Sequence, residues 1–364
     1  MSMKRTAKIV LAALAVCLCL GLFACSLRTE PPPATLNPTT NHSAAWPDGN
    51  ETFPEPPSDF ESEPSTHEGF TGEGNSTLPT QPVAVNPAGF PSREILRGSP
   101  DSSAGTYTGL RPLPARPLSV ADPNNGRNLP TKKVEHAYGV AQDGAPHQIS
   151  VDFQRFFEMK RYAAVAYDNI TKEKVLYLTF DCGYENGNTA LILDVLRDKK
   201  VPAAFFCTVD ELKGAPEIVT RMIKEGHIVG NHSVKHPSFA EIDRTRMAQE
   251  VLGADNYLRE NFGYSAPFFR FPKGEYNESA LDAVASLGFT SVFWSAAYAD
   301  WDVNAQKGAQ YALDTVLARI HPGAILLLHS VSSDNAGAMA DIIDGARAMG
   351  YSFRNLTDLP QLNF

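Results

Sequence analysis

The sequence predicts an α/β fold: a parallel sheet of seven strands with helices between them, closed or nearly closed into a barrel and preceded by a disordered tether. Three observations predict it. Apolar, β-branched and aromatic runs alternate with amphipathic stretches from Val175 onward. The 27 prolines are unevenly spread across the 364 residues and cluster early, where few periodic runs occur. Reactive side chains recur where the strand-like runs end. An open doubly wound sheet is the alternative architecture. No G-x-G-x-x-G follows a strand, so a dinucleotide site has no support.

Residues 1–25 read as an address. Lys4, Arg5 and Lys8 form a basic head, Ile9 to Phe23 is an apolar run, and Leu22-Phe23-Ala24-Cys25 closes it. This is the layout of a secretory signal. It also resembles a bacterial lipobox, in which Cys25 becomes the lipid-modified first residue of the mature chain. An ordinary cleaved signal and an uncleaved anchor are the alternatives. Acyl chains on Cys25 would make the membrane a partner and leave the rest of the chain extracytoplasmic. Of the five cysteines, Cys17 and Cys19 leave with the signal, so only Cys182 and Cys207 remain in the folded part.

Residues 26–133 carry Pro31-Pro32-Pro33 and Pro54-Glu55-Pro56-Pro57 among many Ser, Thr, Gly and Glu, the composition of a disordered, partly extended spacer. The net charge of −9 argues against nucleic acid as a partner. No second membrane-length apolar run follows the first.

The compact part is placed at 134–364. A lead-in with a helix near Asp152–Arg161 comes first. The expected strands are Val175–Phe180, Ala203–Thr208, His227–Asn231, Pro267–Phe271, Phe289–Trp294, Ala324–His329 and Tyr351–Arg354. Thr189–Lys199 has Ile192, Val195 and Leu196 at helical spacing, and Pro216–Glu225 opens on Pro and stops at Gly226. Asp243–Phe262 is long and amphipathic. Asn277–Leu287 stops at Gly288, Ala305–Ile320 stops before Pro322-Gly323, and Asp334–Met349 stops at Gly350.

Asp181 ends the first strand, held by a loop containing Gly183 and Gly187. His232 and His236 follow the third strand, Arg270 ends the fourth, Asp300 and Trp301 follow the fifth, and His329 ends the sixth. Parallel strands put these ends on one rim. His232-Ser233-Val234-Lys235-His236 places two imidazoles four apart, which on one helical turn share a face and can grip a metal. Asp181 or Cys182 could supply a third ligand. Arg270 can orient a carboxylate and keep it ionised. His329 opposite an acid suits a general acid. The bland readings are a turn-starting Asp, a structural ion pair and a satisfied core His.

These motifs resemble, in order, the five signatures of the polysaccharide deacetylases of carbohydrate esterase family 4, the NodB-homology domain, over 174–356. Thr179-Phe180-Asp181-Cys182-Gly183 is similar to the first motif and His232–His236 to the metal motif. Arg270–Asn277, Asp300-Trp301 and Leu327-Leu328-His329 are similar to the remaining three. Asp181 to Gly187, Phe293-Trp294-Ser295 and Ile325 to Ala336 resemble the δ-lactam-biosynthetic branch, which acts on N-acetylmuramic acid in peptidoglycan.

The resemblance implies a distorted (β/α)7 barrel, peptidoglycan glycan strands as partner, and a monomer at the membrane facing the cell wall. It implies a divalent metal, zinc in the first instance, on His232 and His236, with Asp181 as base, His329 as acid, Arg270 fixing Asp181 and Asp300 tuning His329. Trp301, Leu327, Pro272 and Tyr276 become substrate-binding residues. Cys182 stands where most of the family has a metal-binding Asp. Three readings compete for it: a thiolate ligand, a buried bystander, or a disulfide partner of Cys207. N-acetylglucosamine or chitin oligosaccharides are alternative substrates, and a catalytically silent glycan binder is the alternative from another class.

Overall fold

The computed structural model describes residues 95–98 and 109–362. The signal with Cys25, and tether residues 26–94 and 99–108, lie outside the described residues.

In chain order, β1 (Leu96–Arg97) and β2 (Val134–Glu135) precede α1 (Gln148–Met159) and β3 (Ala164–Val165). The strand β4 (Val175–Cys182) leads through α2 (Asn188–Lys199) to β5 (Ala204–Cys207), then α3 (Val209–Gly214), α4 (Pro216–Lys224) and β6 (Ile228–Asn231). The long α5 (Arg244–Phe262) is followed by β7 (Tyr264–Ser265), β8 (Phe268–Phe269) and β9 (Glu275–Tyr276), then α6 (Glu278–Ser286), β10 (Thr290–Val292) and β11 (Ala296–Ala297). Last come α7 (Ala309–Leu317), β12 (Ala324–His329), α8 (Ser333–Ala348) and β13 (Ser352–Phe353).

The main sheet runs β11-β12-β4-β5-β6-β8-β10-β3, with β13 added to β4, and its pairings are parallel. It curls into a half-barrel; its edge strands β11 and β3 do not pair, so the curl stays open. All residues of β4 are buried, as expected of a strand covered on both faces. Phe180 and Phe205 stack across β4 and β5, their ring centroids 5.0 Å apart.

Sequence and structure agree on the principal elements and differ at their ends for local reasons. The Asp243 side chain caps α5 by accepting from the Arg246 amide, and Gly263 ends it in the left-handed region. The α7 helix starts at Ala309 rather than Ala305. Gly308 has φ +99°, and the Asp334 carboxylate accepts from the amides of Lys307 and Gly308. The short α3 was not foreseen; Thr208 caps it. The two-residue strands β3 and β11 are too short to leave a periodic signal.

The ordered body begins before Val134. Leu96–Arg97 pairs with Tyr264–Ser265. Arg116 reaches Asp255 at 3.4 Å, and the Arg259 guanidinium donates to the Pro114 carbonyl at 2.6 Å. Arg127 pairs with Asp282 at 2.5 Å. The expected tether is thus, at 95–98 and 109–133, a strap hydrogen-bonded to the domain.

Candidate active site

Asp181 is the penultimate residue of β4 and His329 the last of β12, and the two strands run with His329 opposite Asp181. Directly opposed residues on neighbouring strands share a face of the sheet. Thr179 and Leu327, two residues earlier and likewise opposed, share it too.

Arg270 follows β8 and is fully buried. Its Nη1 donates to Asp181 Oδ1 at 2.8 Å and to Thr179 Oγ1 at 2.9 Å. Its Nε donates to the Val292 carbonyl at 2.9 Å and Nη2 to the Phe293 carbonyl at 3.3 Å. The guanidinium carbon lies 4.2 Å from the centre of the Phe206 ring. Gly230 makes room for that ring: a Cβ there would sit 2.6 Å from it. Burial alone would push the Asp181 carboxyl up, but the charge of Arg270, aided by His232, His329 and the Arg270 hydrogen bond, holds it below its usual range.

His232 and His236 meet, but not on a helix. Residues 232–236 form a loop in which Ser233 (φ +70°) and His236 (φ +56°) are left-handed. Side chains pin this strained shape. Glu250, buried on α5, accepts from the amides of Val234 and Lys235 at 2.9 and 2.7 Å. Asn231 accepts from the Ser233 amide, and Ser233 Oγ from the His236 amide. His232 Nδ1 donates to the Arg270 carbonyl at 3.0 Å, which leaves the lone pair on Nε2. That Nε2 lies 3.1 Å from His236 Nε2 and 3.5 Å from Asp181 Oδ2. Burial, with repulsion from His232, pushes the His236 imidazole down to about 4. Two neutral imidazoles with facing nitrogens, one tautomer fixed by a carbonyl, fit a divalent metal.

Cys182 does not join them. Successive strand residues face opposite ways, so Asp181 points to the site and Cys182 away from it. Its neighbours are Cys207, Glu211 and Ser330, and burial pushes its thiol up, against a thiolate ligand. Cys182 and Cys207 are opposed in register, buried, and both free thiols. Among the described residues, no group of three or more His, Cys, Asp or Glu is arranged to hold a metal.

Asp300 buttresses His329. Its Oδ1 pairs with His329 Nδ1 at 2.7 Å, and Oδ2 accepts from the His329 amide at 2.8 Å and from Asn335 Nδ2 at 2.6 Å. Burial works against the imidazolium, but the charge and hydrogen bond of Asp300, with Asp181 behind, raise His329 above its ordinary value. Removing the charge reverses that balance. Asp300→Asn should therefore lower the pH at which His329 loses its proton, read by NMR titration of its imidazole. An unmoved midpoint would show that Asp300 does not set His329.

Trp301 stands edge-on to His329, ring centroids 6.2 Å apart, and Leu327 lies on the same sheet face as His329. Two expected substrate contacts do not hold. Tyr276 is fully buried, its ring packed on Phe157, Phe271 and Phe293; β9 turns it inward and Glu275 outward. Pro272 is buried as the first residue of a 3-10 turn. The sequence reading missed Thr179 as a partner of Arg270, Asn335 as a partner of Asp300, and Glu250 as the staple of the histidine loop. Asn335 follows the helix-capping Ser332, the one hint it carried.

Fold and site together define a hydrolase: a parallel half-barrel whose rim holds a carboxylate kept below its usual range opposite an imidazole raised above its own. The polysaccharide deacetylase profile matches residues 168–292. The peptidoglycan-N-acetylmuramic acid deacetylase PdaA of Bacillus subtilis is 42% identical over 202 residues, covering 55% of this chain and 76% of that protein. A peptidoglycan-N-acetylglucosamine deacetylase of Bacillus cereus is 31% identical over 191 residues, covering 52% of this chain and 67% of that protein. The solved structure of B. subtilis PdaA, a family 4 carbohydrate esterase, superposes with a TM-score of 0.61 at 37% identity, covering 64% of this chain and 98% of that one. The chain belongs to the polysaccharide deacetylases of carbohydrate esterase family 4.

Proposed function

We propose that this enzyme removes N-acetyl groups from peptidoglycan amino sugars, N-acetylmuramic acid first among them. The observation that carries the reaction is the register of Asp181 opposite His329 on adjacent strands, the one held below its usual range by Arg270 and the other raised above its own by Asp300. Asp181 takes a proton from the attacking water as its oxygen bonds to the acetamide carbon. Asp300 holds His329 Nδ1, so Nε2 delivers a proton to the departing nitrogen as the C–N bond breaks. Acetate and a free amine result. Trp301 and Leu327 wall the acetyl methyl. His232 and His236 would hold a divalent metal, zinc in the first instance, whose Lewis acidity would polarise the acetamide carbonyl.

The higher identity to the muramic acid enzyme than to the glucosamine enzyme supports the choice of sugar. The test is acetate release by the full chain, with and without zinc or manganese, from intact glycan and from glycan stripped of its peptides. The stem peptide occupies the lactyl group of muramic acid, so release from stripped glycan alone is expected. Release from intact glycan would assign N-acetylglucosamine instead. We further place the enzyme outside the cytoplasm as a monomer anchored through lipid on Cys25. Basic head, apolar run and terminal Cys support that reading; membrane partitioning unchanged in Cys25→Ser would overturn it.

A further inference from the structure

We infer that His136, directly after β2 and upstream of the residues matched by the family profile, is a positioning residue for the catalytic pair. Val134–Glu135 pairs antiparallel with Glu275–Tyr276, and the His136 amide donates to the Gly274 carbonyl at 2.9 Å. The imidazole is buried and packs between Phe153, Phe293 and Trp294, ring centroids 4.7, 4.6 and 4.9 Å away. Its Nε2 lies 2.8 Å from the Trp294 carbonyl. Since a carbonyl only accepts, Nε2 carries the proton. Among the described residues Nδ1 has no hydrogen-bond partner.

The segment this ring braces, which runs on from β10, is the one whose carbonyls receive Arg270. The carbonyls of Val292 and Phe293 receive Arg270 Nε and Nη2, and the next carbonyl along, that of Trp294, receives His136. One side chain thus ties down the peptide adjoining the Arg270 acceptors, and Arg270 in turn orients Asp181. The same residue, through its Cβ, lines the turn after Arg270. Gly274 (φ +69°) is wedged so closely that a Cβ there would lie 2.9 Å from Trp294 and 3.3 Å from His136 Cβ. His136 touches neither Asp181 nor His329 in any contact described. Its effect runs through Phe293–Trp294 and Arg270. A phenylalanine would fill the same space but leave the buried Trp294 carbonyl without the N–H that His136 donates.

The test separates the ring from its donor in the full chain. His136→Phe keeps the ring and loses the N–H. His136→Gln places an N–H near Nε2, and His136→Asn places one near the unpartnered Nδ1. For His136→Phe we expect kcat for acetate release to fall roughly tenfold or more with KM nearly unchanged, because misplacing a catalytic group spares ground-state binding. The Gln variant should recover most of the loss and the Asn variant little. In arginine-labelled protein the Arg270 Nε–H resonance, assigned by its loss in Arg270→Lys, should be sharp in the parent and in Gln, and broadened or shifted in Phe and Asn. Parent-like kcat and an unchanged Arg270 signal in His136→Phe would overturn the inference, as would Gln and Asn behaving alike. If Phe does not fold, the Gln–Asn pair decides. The resonance decides even if the parent releases no acetate, so failure here is distinguishable from failure of the proposed reaction.

Discussion

Asp181→Asn is expected to lower kcat for acetate release by roughly 10²- to 10⁴-fold, the range general base catalysis contributes. The amide oxygen can still accept from Arg270 Nη1, now 2.8 Å from Oδ1, so the fold should persist while the base is lost. The comparison reads catalysis rather than unfolding when activity is scaled to folded protein by near-UV circular dichroism. It also separates an enzyme from a silent glycan binder. An enzyme loses turnover and keeps its glycan. A binder has no turnover to lose, and a parent inactive with every metal tried would place that reading first. A variant within a few-fold of the parent would remove Asp181 from the base role and leave the alternation of β4 without its chemical consequence.

Much of this site was legible because strand ends are legible. Val175 to Phe180 announces a buried strand by composition alone, and whatever follows such a run on a parallel sheet falls on the rim. Asp181, Arg270, Asp300 and His329 were found that way, and the structure joins them into two hydrogen-bonded pairs. What composition cannot encode is facing. One further strand residue turns Cys182 away from His232 and His236, and the same alternation buries Tyr276 within a motif that also contains Arg270. The histidine spacing suggested a helical turn; two left-handed residues give a loop instead, held by Glu250, 15 and 16 residues along the chain from the amides it accepts from. Long-range partners such as Glu250, Asn335 and His136 leave no local period. The strap was hidden for a related reason. Its prolines signal an extended chain, and an extended chain pinned by Arg116, Arg127 and Arg259 reads locally like a free one.

Arg270→Met should be the most damaging single change to stability. The guanidinium is fully buried and donates to four acceptors: Asp181, Thr179 and the Val292 and Phe293 carbonyls. Removing one partner of a buried ion pair costs roughly 3–5 kcal/mol, because the other charge stays buried and unpaired. The pH dependence has a definite sign. In the parent, Asp181 is held low, so its stabilising contribution is present above the unfolded carboxylate pKa and is lost as pH falls through the folded one. Without Arg270 burial dominates, the carboxyl rises, and folding then favours the protonated form. The deficit of Arg270→Met should therefore be smallest in acid and grow as pH rises through the carboxylate range, as read by urea unfolding at a series of pH values. Adding Asp181→Asn to Arg270→Met removes the stranded charge and should recover part of the loss near neutrality, so that the two changes are strongly non-additive. Additive losses, or a deficit independent of pH, would mean that Arg270 holds the fold through packing on Phe206 and its carbonyl contacts rather than through its pairing with Asp181.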